Sequence, residues 1–252
     1  MTRPASDIKA NLQTIRERIS QATAAAGRSP DEIRLIAVSK TVRSADIIRA
    51  IDAGQHIFGE STVQDAMTKL ALIEDPANEW HFIGHLQTNK IKHIPGNFAW
   101  LHTLDSLKLA RKLSGYAQTR GIVINTLIQI NIANDPDKFG IQPERAFGFM
   151  EELLQASLDG IRPRGLMTIG RRAGSAADCH RDFSRLRELR DACALRFGSG
   201  MFDELSMGMS GDFEIAIAEG STMVRVGSAI FGERPARCNR PAAARIELTD
   251  PD

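Results

Sequence analysis

Three groups of residues in this chain have types and spacing that can do chemistry. The first is Lys40, which closes the apolar run Leu35-Ile36-Ala37-Val38-Ser39-Lys40. A lysine at the tip of a buried strand stands in low-dielectric surroundings, which disfavour the ammonium and make the neutral amine accessible. A neutral amine condenses with an aldehyde to give a Schiff base. The plain alternative is a lysine that ends a strand and extends its charge to solvent. The second group is a pair of small-residue turns, Ser206-Met207-Gly208-Met209-Ser210-Gly211 and Gly227-Ser228. The first leads into a helix-like stretch, 212–219, with Ser210 as its expected cap. Unpaired first-turn amides and the helix dipole favour phosphate, although an ordinary capped turn has the same composition. The third is Arg225, two residues before Gly227 and on the same strand face. A guanidinium turned into a protein interior needs a partner. An acceptor nitrogen on a bound ring would serve, and so would an acidic side chain in the floor of the fold.

The elements that must position these groups are legible as an alternation. Residues 5–26 place Ile8, Leu12, Ile15 and Ile19 at helical spacing, and Gly27 and Pro30 stop the helix. Eight apolar runs of strand length follow, at 34–39, 56–59, 79–83, 100–103, 123–130, 165–168, 204–207 and 223–226. Helical stretches lie between them, one capped by Ser44, one running from Thr62, one capped by Asp105, one opened by Pro143 and one over 177–197. Such alternation predicts a parallel sheet, and eight units close into a (β/α)8 TIM-type barrel, here with an additional N-terminal helix. The competing doubly wound sheet lacks its glycine-rich fingerprint after the first strand. In a barrel, function collects where the strands end, which is where Lys40, Ser206, Ser210, Gly227 and Ser228 fall. The expected organisation is one barrel over 1–232 and a flexible tail over 233–252 rich in Pro, Ala and Arg.

Composition narrows the function classes. The 252 residues are 42% hydrophobic and 25% charged with a formal net charge of +1, which gives no electrostatic reason to bind nucleic acid or a membrane surface. Arg181, Arg185, Arg187 and Arg190 alternate with apolar residues at helical period and read as a solvated face. The six histidines form no HExxH, and Cys179, Cys193 and Cys238 form no CxxC, so no metal is expected. Unpaired cysteines, a first segment without an apolar leader and no ~20-residue apolar span lead to the expectation of a cytoplasmic protein.

Longer motifs carry a resemblance over residues 33–232. His81-Phe82-Ile83-Gly84-His85-Leu86-Gln87-Thr88-Asn89-Lys90 is similar to HFIGxLQxNK of the pyridoxal phosphate homeostasis proteins, the YggS/PROSC family. Gln129-Ile130-Asn131 with Lys138-Phe139-Gly140 resembles that family's QIN…KxG, and the segments 205–210 and 220–232 resemble its closing motifs. The family in turn resembles the N-terminal barrel of alanine racemase. The resemblance implies that Lys40 carries pyridoxal 5′-phosphate as a Schiff base. It also implies that Ser206, Ser210, Gly227 and Ser228 hold the phosphate, and that Arg225 faces the pyridine nitrogen. Two positions depart from the pattern. Ser61-Thr62 replaces the usual Asn-Tyr or Asn-Arg after the second strand, and Ser228 stands where threonine is common, keeping the hydroxyl without the methyl.

Racemisation needs an acid/base group on each face of the substrate carbon. Lys40 can serve one face. In alanine racemases the other is a tyrosine from a second domain, whereas the single tyrosine here, Tyr116, falls on an expected outer helix. The expected function is therefore a carrier or buffer in intracellular pyridoxal phosphate homeostasis, with apo-enzymes as recipients and the protein a monomer. The alternative is a racemase-like enzyme with His85 or water as the second base.

Overall fold

A computed structural model describes residues 7–171 and 174–233. It shows eight parallel strands closed into a barrel in sequence order. The strands are β1 (Arg34–Val38), β2 (Ile57–Glu60), β3 (Glu79–Phe82), β4 (Trp100–Leu104), β5 (Ile124–Gln129), β6 (Ile161–Met167), β7 (Glu204–Met209) and β8 (Met223–Val226). The helices are α1 (Ile8–Ala25), α2 (Ser44–Asp52), α3 (Val63–Leu70), α4 (Leu107–Gln118), α5 (Ala146–Gln155), α6 (Ala176–Phe197), α7 (Phe213–Ala218) and α8 (Ser228–Phe231). Between β3 and β4 the layer is completed by a 3-10 segment, Thr88–His93. The expected barrel and N-terminal helix are both present. The expected flexible tail lies outside the described residues apart from Glu233. Among the described residues no helix is long and apolar enough to cross a membrane.

Helix α1 forms because Ile8, Leu12, Ile15 and Ile19 make one buried stripe. Asp7 caps it by accepting from the Ala10 amide at 3.0 Å. The stripe packs the helix over α2, α7 and α8, beside the seam where β8 meets β1. Three caps differ from expectation. Arg43 precedes α2, so Ser44 is its first helical residue. Ser106, not Asp105, caps α4 through the Leu109 amide. Asp212, not Ser210, stands before α7. Helix α2 thus begins one residue earlier than composition suggests, and α4 and α7 begin one and two residues later, where the strand-to-helix turn consumes those residues. Strand β6 begins four residues before its apolar run. Pro163 breaks the pattern there but falls next to the register shift between Thr126 and Leu127, where a missing amide is tolerated.

Alternation along the strands separates two cores. Outward residues such as Ala37, Phe58, Trp80, Phe82, Leu101, Leu205, Val224 and Val226 pack against the helices in one continuous cluster. The inner cluster is small, with Ile36, Trp100, Leu127, Met167 and Met223. The rest of the interior is polar. His81, His102, Ser206 and Arg225 are all buried there, on β3, β4, β7 and β8.

Candidate functional site

At the C-terminal rim, Lys40 follows β1 by two residues and is half-buried. Its neighbour Thr41 has φ of 64°. A β-branched residue in the left-handed region is strained, at a cost on the order of 1–3 kcal/mol, so the surroundings must impose it. They do so through a buried ionic clamp. Lys69 Nζ donates to the Ser39 carbonyl at 2.7 Å, to Glu60 Oε1 at 2.8 Å and to Asp65 Oδ2 at 2.8 Å. Asp65 Oδ2 also accepts from the Thr41 amide at 2.9 Å, and Ser39 Oγ donates to Glu60 Oε1 at 2.6 Å. The residues before and after Lys40 are thus both tied to one cluster. Lys69 is 3% exposed and Glu60 is fully buried. Burial pushes the Glu60 carboxyl up against the pull of Lys69 and Ser39. Burial would raise Asp65 as well, but the hydrogen bonds from Lys69 and the Thr41 amide outweigh it and hold that carboxyl low.

The β8 side of the rim stands against the β1 side. The strands pair Ile36 with Arg225 and Ala37 with Val226. The next residue, Gly227, is so close to Val38 that a Cβ on it would lie 3.3 Å from both the Val38 Cβ and its carbonyl oxygen. Glycine lets the two strand ends meet there without Val38 giving way by a few tenths of an ångström. The Gly227 amide donates to Ser210 Oγ at 3.3 Å. Ser210 is therefore not a helix cap but the link between the two small-residue turns. Exposed Ser228 opens α8 next to them. Gly208, with φ of +92°, lets the first turn pass over α7, where a Cβ would lie 2.6 Å from that of Ala216.

Arg225 sits beneath this rim, 4% exposed. Its Nη1 donates to Ser206 Oγ at 2.6 Å and its Nη2 to the Thr168 carbonyl at 2.7 Å. Burial pushes the guanidinium down to about 10, against the distant attraction of Asp212. Among the described residues no carboxylate lies within salt-bridge distance of it, so the acidic-partner alternative is not what the fold contains. Ser206 is fully buried, with its hydroxyl committed to Arg225 and to His102 Nδ1 at 3.0 Å. The structure places it behind the arginine, in the barrel core. The remaining expected residues, Lys40, Ser210, Gly227 and Ser228, stand on the shared β1, β7 and β8 rim with Arg225 below. A cation lacking a carboxylate partner, a glycine cradle and a hydroxyl-rich turn beside a pinned lysine fit a phosphorylated heteroaromatic aldehyde.

His85 lies across the rim. It stacks on Phe139 at 3.7 Å and 10° and holds Nδ1 3.6 Å from Asp105 Oδ2. Tyr116 is on the outer helix α4. No group of three or more metal-ligating side chains occurs among the described residues. Sequence reasoning missed Lys69, Glu60 and Asp65 as the support of Lys40, and Glu79, His81 and His102 as the support of Arg225. A period-two reading of β3, β4 and β7 would have set Glu79, His81, His102 and Ser206 on inward positions. Nothing local marks Lys69 as buried, since an i,i+4 Asp–Lys pair is commonly a surface feature.

Residues 8–235 match the family model for the alanine racemase N-terminal domain. The pyridoxal phosphate homeostasis protein of Escherichia coli (strain K12) is 43% identical over 235 residues, covering 91% of this chain and 97% of that one. Its counterpart in Pseudomonas aeruginosa is 41% identical over 229 residues, covering 91% and 96%. Among solved structures, PipY of Synechococcus elongatus with PLP bound superposes with a TM-score of 0.77 at 35% identity, covering 86% of this chain and all of that one. Alanine racemase from Streptomyces coelicolor has a TM-score of 0.65 at 16% identity, covering 90% of this chain and 58% of that one, which shows a shared fold.

Proposed function

Since the chain belongs to the pyridoxal phosphate homeostasis proteins, within the alanine racemase N-terminal domain family, we propose that it binds pyridoxal 5′-phosphate at the rim shared by β1, β7 and β8 and acts as a carrier or buffer of that cofactor. The observation that carries this is Arg225, a buried guanidinium held under the Ser210–Gly227 contact with no carboxylate partner among the described residues. Lys40 is the amine that holds the aldehyde, as a Schiff base. Gly227, Ser228 and Ser210 hold the phosphate, with the first-turn amides of α8 behind them. Arg225 donates toward the ring nitrogen and keeps it unprotonated, since a guanidinium does not give up its proton. When bound, the cofactor supplies a reactive aldehyde on an electron-accepting ring. The residues of this chain bind and orient it, and they supply one acid/base group, Lys40, beside it. The stacking of His85 on Phe139 at the far rim supports the carrier reading over the racemase alternative. With this reading go a single-chain protein of the cytoplasm and apo-enzymes as recipients of the cofactor.

The test is a visible absorbance spectrum of protein incubated with pyridoxal phosphate, followed by borohydride reduction and peptide mapping. A band that borohydride removes, with the added mass on the Lys40 peptide and neither in Lys40→Ala, is the expected result. A featureless spectrum, or a label on another lysine, would overturn the assignment. Faster reconstitution of an apo-enzyme by the loaded protein than free dissociation allows is expected of a carrier. Equal rates would leave only buffering.

A further inference from the structure

A continuous line of hydrogen bonds crosses the barrel interior beneath the rim. Arg225 Nη1 reaches Ser206 Oγ at 2.6 Å, Ser206 Oγ reaches His102 Nδ1 at 3.0 Å, His102 Nε2 reaches His81 Nδ1 at 2.8 Å, and His81 Nε2 reaches Glu79 Oε1 at 2.6 Å. His81, His102 and Ser206 are fully buried, while the Glu79 side chain is 40% exposed at the opposite end of the barrel. The line joins the rim to solvent at the barrel floor through four residues on three strands.

Its direction is determined from both ends. A guanidinium only donates, so Ser206 Oγ accepts from Arg225. The serine proton then needs an acceptor, and among the described residues His102 Nδ1 is the one within reach. A neutral imidazole that accepts at Nδ1 carries its proton on Nε2, so His102 donates to His81. By the same rule His81 donates to Glu79. Starting instead from Glu79, a carboxylate that accepts from His81 forces the same tautomers in turn. Burial lowers both imidazoles, His102 strongly because His81 and Arg225 add to it. The hydrogen bond from His81 holds the Glu79 carboxyl below its ordinary value. The surrounding charges fit this arrangement. Arg34 on β1 pairs with Glu204 on β7 at 2.5 Å, Glu204 also accepts from Thr222 at 2.7 Å, and Trp100 on β4 stacks on His81 at 5.6 Å and 19°. An extra proton on either ring would leave the Ser206 hydrogen without an acceptor, so the relay resists charging as a unit.

We infer that Glu79, His81, His102 and Ser206 form a one-way donor relay that positions the Arg225 guanidinium and denies the acceptor it meets at the rim any proton from the barrel. These four are positioning residues, since none of them faces the rim. The relay rests on hydrogen bonds within this chain. Its consequence for a ring nitrogen rests on the pyridoxal phosphate reading.

The test starts with long-range 1H–15N NMR of histidine-labelled protein without cofactor. Two imidazoles protonated on Nε2, unchanged from about pH 6 to about pH 9, are expected. A buried ring protonated on Nδ1, or one titrating in that range, overturns the relay. Arg225 side-chain protons should exchange slowly, and at least about tenfold faster in Ser206→Ala. Unchanged exchange in a folded Ser206→Ala protein overturns the positioning role. Glu79→Ala, at the half-exposed end, provides a variant whose folding is not in question. It removes the acceptor that fixes the His81 tautomer, so the His81 ring 15N signals should shift toward mixed tautomers, and an unaltered His81 signal counts against the relay. With cofactor, Ser206→Ala should bind pyridoxal phosphate roughly tenfold to a hundredfold more weakly, as for loss of a hydrogen bond to a charged group. If the unaltered chain shows the stated tautomers and exchange but takes up no pyridoxal phosphate, the cofactor reading falls and the relay stands.

Discussion

Lys40 and Arg225 are held by opposite means. The segment carrying Lys40 is fastened by formal charges, with buried Lys69 between Glu60 and Asp65. Arg225 is fastened by neutral groups, a serine hydroxyl, a backbone carbonyl and two uncharged imidazoles behind them. The difference follows from what each residue has to do. A loop with a strained Thr41 needs strong, redundant ties, and ion pairs to two carboxylates provide them. Under the proposed function, a guanidinium that offers its charge to a bound ring is not neutralised from behind. A carboxylate in place of Ser206 would satisfy it and compete with the ligand.

The comparison can be broken most directly at Lys69. Lys69→Met leaves buried Glu60 and the partly exposed Asp65 without their cation, and urea unfolding should show a loss of about 3–5 kcal/mol. Ser206→Ala removes one tie from a neutral network and should cost less, about 1–3 kcal/mol. Equal losses would mean that the two supports do not differ in kind. Acidity separates them further. Both histidines have folded pKa values below their unfolded value of ~6.5, so their contribution is full above that value. It is lost as pH falls from there through the folded pKa, at up to about 1.4 kcal/mol per pH unit for each ring. Glu60 has the opposite sign. Its folded pKa is raised above ~4.3, so its contribution is full below that value and is lost as pH rises through the folded pKa. Unfolding free energies measured from about pH 7 to about pH 5 should fall in the unaltered chain and fall less in His102→Phe. The smallest stability effect is expected of Gly227→Ala. The added Cβ meets Val38 at 3.3 Å, which should cost about 1 kcal/mol or less. Its effect should be concentrated on cofactor affinity, read by spectral titration.

Much of this was legible before any coordinates. The apolar stripe from Ile8 to Ile19 announced α1, and most strands begin within a residue or two of their apolar runs. Strand β6 was read short because Arg162, Pro163 and Arg164 interrupt its apolar character, and pairing with both neighbours overrides that. The rim residues Ser210, Gly227 and Ser228 were readable because small residues after strands mark turns. The role of Ser210 was not, since its partner is the Gly227 amide from another turn. Ser206 looked like a turn residue but is the last inward hydroxyl of β7 before the strand bends away. Nothing in the sequence marks Lys69 as buried, because its burial depends on where α3 lies over β1 and β2.

The order of amino acids by itself determined the alternation of elements, the extra helix, the position of Lys40 at a strand end and the small turns that follow β7 and β8. These depend on periodicity and turn chemistry, which act over a few residues. Only the closed barrel and the helices packed on it decided which polar groups meet. His102 and Ser206 are 104 residues apart, Arg225 and Thr168 57, and Lys69 and Ser39 30. In a parallel barrel, side chains that face one another across the interior come from distant strands. Their hydrogen bonds are made by closure, and no local pattern encodes them.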